Sequence, residues 1–425
     1  MATVPPLRGP GSRFDLDVPF HVPLRLHVIV LVAALAVAAC SSSEPGAEPD
    51  TPSTRASSPG STAVNTTSDT GEEITTSTTA QEVPDVDTSL HSVPLDLILF
   101  DTFDGRAVAL TDSTPELRGR LLDAIPPIDD PVYQDSADGD WLQPDDLVLG
   151  YVTTEQAYAY PFKILNYHEI ANDDLAGVPV LISYCPLCRS GIVYDRRVDG
   201  QVLEFGNTSA LYESDLVMVD RSTGSYWWQV PGEAIVGPLT GTKLTSLPSR
   251  VARWDDWKQL HPDTKVLSRD TGYDRPYDND PFTIYPDRID QGQFPFPLGD
   301  TARDDRLPAS TLVVGVEIGD VNRVYALPLT DGAVNDIAGG TPVVLLTSGD
   351  GASAGVFSPV VDGVALEFDQ TSEGYIDDQT QSLWTATGAA VDGPLQGRQL
   401  SAIPSRTTFW FAYIAAFPNS ELYTH

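Results

Sequence analysis

The stretch Val178-Pro179-Val180-Leu181-Ile182-Ser183-Tyr184 is a short run of β-branched, apolar and aromatic residues that follows Gly177 and ends at a cysteine. Runs of this length, bounded by Gly, Pro, Asp or Asn, are typical of β-strands. Comparable runs occur at 192–195, 216–220 and 225–230. Several strands at such close spacing indicate a sandwich or a barrel, so the sequence predicts a mainly β fold.

The surroundings of this strand occur twice in the chain. Residues 145–265 resemble residues 310–420, and the matched pieces keep the same order with small changes of spacing. We therefore expect an internal duplication that forms two homologous sandwich-like or barrel-like β lobes, at 94–300 and 301–425. The matched pieces are 146–150 with 311–315, Asn172-Asp173 with Asn335-Asp336, 203–205 with 366–368, Trp227 with Trp384, 248–250 with 404–406, and Trp254 with Trp410.

A few short helices are expected within this mainly β (α+β) architecture. One lies at 254–260 and its counterpart at 410–417, and each is followed by a proline that cannot continue a helix. Another opens the folded part, where Thr114 suits an N-cap and Pro115 the first turn of a helix that continues over 116–125.

The N-terminal residues 1–39 have the layout of an export signal, with arginines followed by an apolar run at 28–39. That run is too short for a stable transmembrane helix, which needs about 20 apolar residues. The run ends in Val37-Ala38-Ala39-Cys40, which resembles the bacterial lipobox, although Val37 stands where that motif most often has Leu. The resemblance implies lipidation at Cys40 and a lipid-anchored protein on the extracytoplasmic face of the cell membrane.

Residues 40–93 consist mostly of Ser, Thr, Pro, Gly and acidic residues. Such a segment buries too little apolar surface to fold, so we expect a disordered tether between the lipid and the lobes. The whole chain has a formal net charge of −35. A field of that sign repels phosphate backbones and anionic lipid headgroups, which argues against nucleic acid as a partner and against direct binding to a membrane surface.

Several motifs of the first copy lie around its two cysteines. They are Tyr167-His168-Glu169-Ile170, Tyr184-Cys185-Pro186-Leu187-Cys188, 216–221, 232–237 and His261-Pro262. Over about residues 95–290 this pattern resembles the bacterial domain-of-unknown-function family 3179. The resemblance implies that a site lies around these motifs, but it does not imply what chemistry the site performs. Arg189 stands where that family usually has Gly, and the second copy lacks the cysteine motif.

The two copies differ at the residues that carry chemistry. Cys185 and Cys188 are opposite 348–351, where the sequence is Ser-Gly-Asp-Gly, and neither His168 nor His261 has a histidine counterpart. The prolines, glycines and tryptophans of the frame are retained. We therefore expect the first copy to be active and the second to be structural.

The leading hypothesis for the Cys-Pro-Leu-Cys motif is a redox dithiol, with Cys185 and Cys188 as catalytic residues that exchange electrons with a protein or a small molecule. In thioredoxin-like proteins the motif opens a helix that stabilises the thiolate. Here strands are expected on both sides of the motif, so Arg189 would have to supply the positive charge.

The second hypothesis is a zinc or copper site. Two thiolates between strands resemble the knuckle of a zinc ribbon, and His168 and His261, or else Glu169 or Asp173, would complete the ligand set. The third hypothesis for the motif is a local disulfide or a pair of buried thiols that only supports a turn. If the thiols are only structural, the corresponding hypothesis for the whole protein is a non-catalytic binding or scaffold protein.

Overall fold

The computed structural model describes residues 83–329, 332–349 and 351–424. The predicted signal peptide, the lipidation site Cys40 and most of the predicted tether lie outside these residues, so they stay predictions. The described part of the chain is mainly β, as predicted, with a few short helices. It contains no helix that is both long and apolar enough to cross a membrane.

The secondary structure of the first half, up to residue 303, includes seventeen strands, four α-helices and four short 3-10 helices among the described residues. The strands are β1 Leu99–Asp101, β2 Ala107–Ala109, β3 Tyr133–Asp135, β4 Leu147–Val152, β5 Ala157–Pro161, β6 Ile170–Leu175, β7 Val178–Cys185, β8 Ser190–Asp195, β9 Arg197–Val198, β10 Gln201–Val202, β11 Phe205–Tyr212, β12 Asp215–Asp220, β13 Tyr226–Trp228, β14 Glu233–Val236, β15 Thr245–Leu247, β16 Ser249–Arg253 and β17 Lys265–Leu267. The helices are α1 Pro115–Leu121, α2 Phe162–His168, α3 Trp254–Leu260 and α4 Tyr285–Asp290, and the 3-10 helices are Leu95–Leu97, Leu110–Asp112, Ser136–Asp138 and Thr301–Arg303.

The second half contributes fourteen strands and one helix to the described residues. They are β18 Leu312–Ile318, β19 Val321–Ala326, β20 Ala333–Ala338, β21 Thr341–Ser348, β22 Ser353–Ser358, β23 Val360–Val361, β24 Val364–Ala365, β25 Phe368–Thr371, β26 Gly374–Asp377, β27 Leu383–Trp384, β28 Ala390–Asp392, β29 Ser401–Ala402, β30 Ser405–Phe409, β31 Glu421–Leu422 and α5 Trp410–Ala416.

The strands form several sheets, and one of them joins the two halves. The six-stranded sheet β14-β13-β12-β11-β1-β2 and the five-stranded sheet β16-β4-β5-β17-β3 belong to the first half. The four-stranded sheets β20-β21-β22-β29 and β25-β26-β27-β28 belong to the second. The path β31-β19-β18-β30-β8-β7-β6 runs through both halves, because β30 pairs with β8 at Thr407 and Gly191. The halves therefore share a hydrogen-bonded sheet.

The bounds predicted for the two later helices agree with the structure to within one residue, whereas the first helix is shorter than predicted. Helix α3 has the predicted bounds, and α5 ends one residue early. At α1 the Thr114 side chain accepts a hydrogen bond from Leu117 N–H, as an N-cap does, but the helix ends at Leu121 instead of continuing to residue 125. The reason is tertiary: Asp123 takes φ +53° and its N–H donates to Asn207 O.

Two hydrogen-bond networks have the same geometry in both halves. Asp220 accepts from Thr223 N–H at 2.7 Å and from Trp227 Nε1–H at 3.0 Å. In the second half Asp377 accepts from Thr380 N–H at 2.6 Å and from Trp384 Nε1–H at 2.9 Å. The second network has the same form, with Asn172 bonded twice to the Phe205 backbone and Asn335 bonded twice to the Phe368 backbone. A duplicated frame would show these repeats, and the duplication itself stays a prediction.

Candidate metal centre

The Cys-Pro-Leu-Cys motif forms the turn of the hairpin between β7 and β8. Cys185 is the last residue of β7 and pairs with Ser190, the first residue of β8. Arg189 closes the turn at φ +50°, a conformation that glycine adopts without strain. The motif therefore lies between two strands, as expected, and no helix begins at it. The dipole that stabilises a thioredoxin-like thiolate is missing here.

The second half of the chain supports this turn through its backbone. The carbonyl oxygen of Cys188 accepts hydrogen bonds from Phe409 N–H at 2.8 Å and from the Thr408 hydroxyl at 2.8 Å. Both cysteines also belong to a hydrophobic cluster that contains Trp410 from α5. The thiols consequently lie where the two halves pack together.

A third acidic group, Asp215, meets the two thiols. It is the first residue of β12 and follows a tight turn in which Glu213 and Ser214 both have positive φ, at 53° and 57°. One oxygen of its carboxylate accepts Leu216 N–H at 2.8 Å, and the other accepts Val230 N–H at 2.9 Å. These two bonds fix the carboxylate in place.

Cys185, Cys188 and Asp215 form a compact cluster of potential ligands. The ligand atoms of these three residues all lie within 4.8 Å of one another. The Cys188 thiol lies 3.2 Å from Asp215 Oδ1 and 3.4 Å from the Ser214 carbonyl oxygen. All three side chains are buried, with relative exposures of 1 %, 0 % and 1 %. Both cysteines are free thiols.

Burial makes this cluster reluctant to ionise. It raises the pKa of the Cys185 and Cys188 thiols, and it raises the pKa of Asp215 to about 6 against the opposing hydrogen bond from Val230 N–H. Glu169 lies nearby, accepts Asn207 Nδ2–H at 2.6 Å, and has its pKa raised by burial to about 8. Thus several acidic groups share one low-dielectric region.

No basic side chain balances these acids in the described part of the chain. Its ion pairs include neither Asp215 nor Glu169. Arg189 follows Cys188 directly, but its guanidinium lies over the Phe409 ring, 6.0 Å from the centroid. A cation bound between the thiols and Asp215 would favour their ionised forms, because a metal ion deprotonates the thiols that coordinate it.

The histidines proposed as metal ligands lie elsewhere. His168 Nδ1–H donates to the Pro126 carbonyl at 2.8 Å, and His168 Nε2 accepts from the Tyr277 hydroxyl at 2.7 Å, so both ring nitrogens are used. His261 lies against Trp257, with ring centroids 4.3 Å apart. Neither belongs to the ligand cluster found among the described residues. The structure brings together the two predicted thiols but replaces the predicted histidines with a carboxylate.

Sequence reasoning missed Asp215 because it favoured histidine as the partner of cysteine. One signal was available. The offset of 157 that relates Asp220 to Asp377 places Asp215 opposite Ser372, so the predicted duplication would leave the second copy without this carboxylate as well as without the thiols. The neighbouring Asp220 does have an acidic counterpart, Asp377, and each of the two carboxylates accepts hydrogen bonds from a Thr and a Trp side chain.

His168 should make the fold sensitive to acid. Burial lowers its pKa from 6.5 to about 4, so the unfolded chain binds a proton more readily than the folded chain. The contribution of His168 to the free energy of unfolding is fully present above pH 6.5. It is lost as the pH drops toward 4, and the total loss is about 3 kcal/mol. Between about pH 7 and pH 5, we expect the free energy of unfolding, measured in urea, to fall by about 2 kcal/mol less for His168→Gln than for the wild type. The exposed His91 provides the control, since His91→Gln should retain the wild-type slope, and equal slopes for all three proteins would contradict the assignment.

A pocket lies beside the cysteine turn. Its volume is about 250 Å³, and Pro186 and Arg189 of the turn form part of its wall together with Tyr285 of α4. Lys163 also lines it and pairs with Asp146 at 2.6 Å. The pocket therefore adjoins the cysteine turn, although Cys185, Cys188 and Asp215 do not themselves line it.

Comparison with known proteins identifies one related family. The sequence profile of a family described as protein of unknown function (DUF3179) matches residues 122–420. A search of curated proteins and a search of solved structures each found no match.

Proposed function

The chain belongs to the DUF3179 family of proteins of unknown function, and we propose that it binds a zinc ion between Cys185, Cys188 and Asp215. The observation that carries the proposal is the cluster itself: three buried acidic ligands with all their ligand atoms within 4.8 Å and no basic partner in an ion pair among the described residues. Burial keeps the two thiols protonated, and a bound cation would offset the cost of ionising the three groups together.

The donor set favours zinc among the common metals. Two thiolates and one carboxylate match the sulfur and oxygen ligands that Zn²⁺ accepts, whereas Mg²⁺ and Ca²⁺ prefer oxygen alone. Copper(I) is softer and is less well served by a carboxylate. The Cys-Pro-Leu-Cys hairpin supplies two ligands from one turn, and the hydrogen bonds from Leu216 and Val230 orient the third.

Thiol–disulfide exchange has weaker support. A reactive dithiol requires an accessible thiolate of low pKa. Here burial raises the pKa of both thiols, and their relative exposures are 1 % and 0 %. The turn also lacks a helix N-terminus that would stabilise a thiolate. A purely structural role for the thiols would make Asp215 structural as well, as the acceptor of the Leu216 and Val230 N–H groups, and it predicts a chain that binds no metal.

The place of action is part of the proposal. The lipobox-like sequence around Cys40 supports a chain that is lipidated and held outside the cytoplasmic membrane, where the site would take up zinc. Detection of a lipid-modified Cys40 by mass spectrometry of the mature protein would test this directly, and an unmodified Cys40 in the mature protein would contradict it.

The metal proposal is tested on the purified full chain by elemental analysis and by competition with a chromophoric chelator. We expect about one zinc per chain, and we expect Cys185→Ser to lose it. A wild-type chain that stays metal-free in the presence of zinc and of copper(I) would overturn the proposal. If the chain bound stoichiometric copper(I) and no zinc, the proposed metal would be wrong and the proposed site would stand.

A further inference from the structure

Tyr285 carries a polar group whose partner is missing from the fold. It is the first residue of α4, and its side chain is 8 % exposed. Its hydroxyl has no hydrogen-bond partner in the part of the chain that the structure describes. Buried hydroxyl groups in native proteins are nearly always hydrogen-bonded, so this one calls for an explanation.

The hydroxyl lies beside the proposed metal site. Tyr285 packs in the same hydrophobic cluster as Cys185 and Cys188. Burial raises the pKa of its phenol well above the usual range, and the charges of the Cys188 and Cys185 sulfurs raise it further. Tyr285 also lines the pocket of about 250 Å³. Tyr285 therefore belongs both to the cluster that contains the sulfurs and to the wall of the pocket.

The same pocket offers a positive charge that is not committed to a carboxylate. Arg189 forms no ion pair within the described residues, in contrast to Lys163, which is paired with Asp146. The carboxylates of Asp145, Asp146 and Asp280 also line this pocket, so the unpaired charge of Arg189 favours an anion only locally, next to the Cys185–Cys188 turn.

We infer that the zinc site keeps an open coordination position, and that the buried Tyr285 hydroxyl donates a hydrogen bond to a small anion bound there. This inference rests on the proposed zinc site. Three protein ligands leave a fourth position of a tetrahedral zinc ion for an external ligand, which is the arrangement of sites that exchange ligands or perform chemistry. Hydroxide and small carboxylates are anions that bind at such a position.

The inference is tested on the full chain loaded with Co²⁺ in place of zinc and titrated with azide as the anion. The wild-type visible spectrum should change with azide and reach saturation. Tyr285→Phe should bind one Co²⁺ per chain as the wild type does, but its azide affinity should fall by about tenfold, the effect of losing a hydrogen bond to a charged group. The matched control is Tyr413→Phe, which removes another unpartnered buried hydroxyl from the same cluster. That variant should retain the wild-type azide affinity.

The outcomes separate this inference from the zinc proposal. Wild-type azide affinity in Tyr285→Phe, or a cobalt spectrum in the wild type that does not respond to azide, overturns the inference and leaves the metal site standing. A wild-type chain that binds neither zinc nor Co²⁺ overturns both.

Discussion

Replacing Asp215 with Asn is expected to lower the zinc affinity of the chain by at least about 100-fold, since even the loss of a group that only orients a metal ligand costs 10-fold to 100-fold. The amide is neutral and coordinates zinc poorly. It also presents an N–H₂ group to one of the two backbone N–H donors, Leu216 or Val230, that now bond the carboxylate. Competition with a chromophoric chelator measures the affinity, and thermal unfolding of the metal-free protein checks that the variant is folded.

The matched control for this variant is Asp199→Asn. Asp199 is exposed and takes φ +48°, a conformation that Asn tolerates well. It carries the same change of charge far from any ligand role, so its zinc affinity should equal that of the wild type. Unchanged affinity in a folded Asp215→Asn protein would remove Asp215 from the ligand set.

Replacing Arg250 with Ala is expected to destabilise the protein by about 3 kcal/mol, because it removes several hydrogen bonds from a buried charged group and leaves their acceptors unpaired. Arg250 lies on β16 and is 9 % exposed. Its guanidinium donates to the Ser353 hydroxyl at 2.8 Å, to the Ser348 hydroxyl at 3.0 Å and to the Ala386 carbonyl at 3.2 Å. With a longer bond to the Leu346 carbonyl at 3.4 Å, this one side chain of the first half bonds four residues of the second.

Urea unfolding of the full chain measures this effect. Arg398→Ala is the control, because Arg398 pairs with Asp362 on the surface and both side chains are more than half exposed. Such a pair contributes at most about 1 kcal/mol. If Arg250→Ala were no more destabilising than Arg398→Ala, the contacts of Arg250 would not hold the two halves together.

The sequence predicts local structure well where a local rule determines it. The run before Cys185 is a strand, Thr114 is an N-cap, and the helix at Trp254–Leu260 has its predicted bounds. The α1 helix is shorter than predicted because Asp123, more than 80 residues away from Asn207 in the chain, bonds to its backbone. Contacts of that kind follow from the packed fold and leave no pattern in a short window of sequence.

The candidate site shows the same division. The two thiols are visible in the sequence because their spacing is local. Asp215 is 27 residues beyond Cys188, and it reaches the thiols only because the turn at Glu213-Ser214 starts β12 beside the cysteine hairpin. The sequence predicts His168 as a metal ligand, but in the fold both of its ring nitrogens are hydrogen-bonded to Pro126 and Tyr277. Nothing in the sequence indicates a role for Tyr285, because the absence of a hydrogen-bond partner for its hydroxyl can be seen only in the folded structure.

X-ray absorption at the zinc edge tests the central claim most directly, because it reports which atoms surround the metal in the full chain. For the Cys185–Cys188–Asp215 site we predict two sulfur atoms at about 2.3 Å from the zinc and oxygen ligands at about 2.0 Å. A spectrum that shows no sulfur, or that shows the scattering of imidazole rings such as those of His168 and His261, would contradict the account.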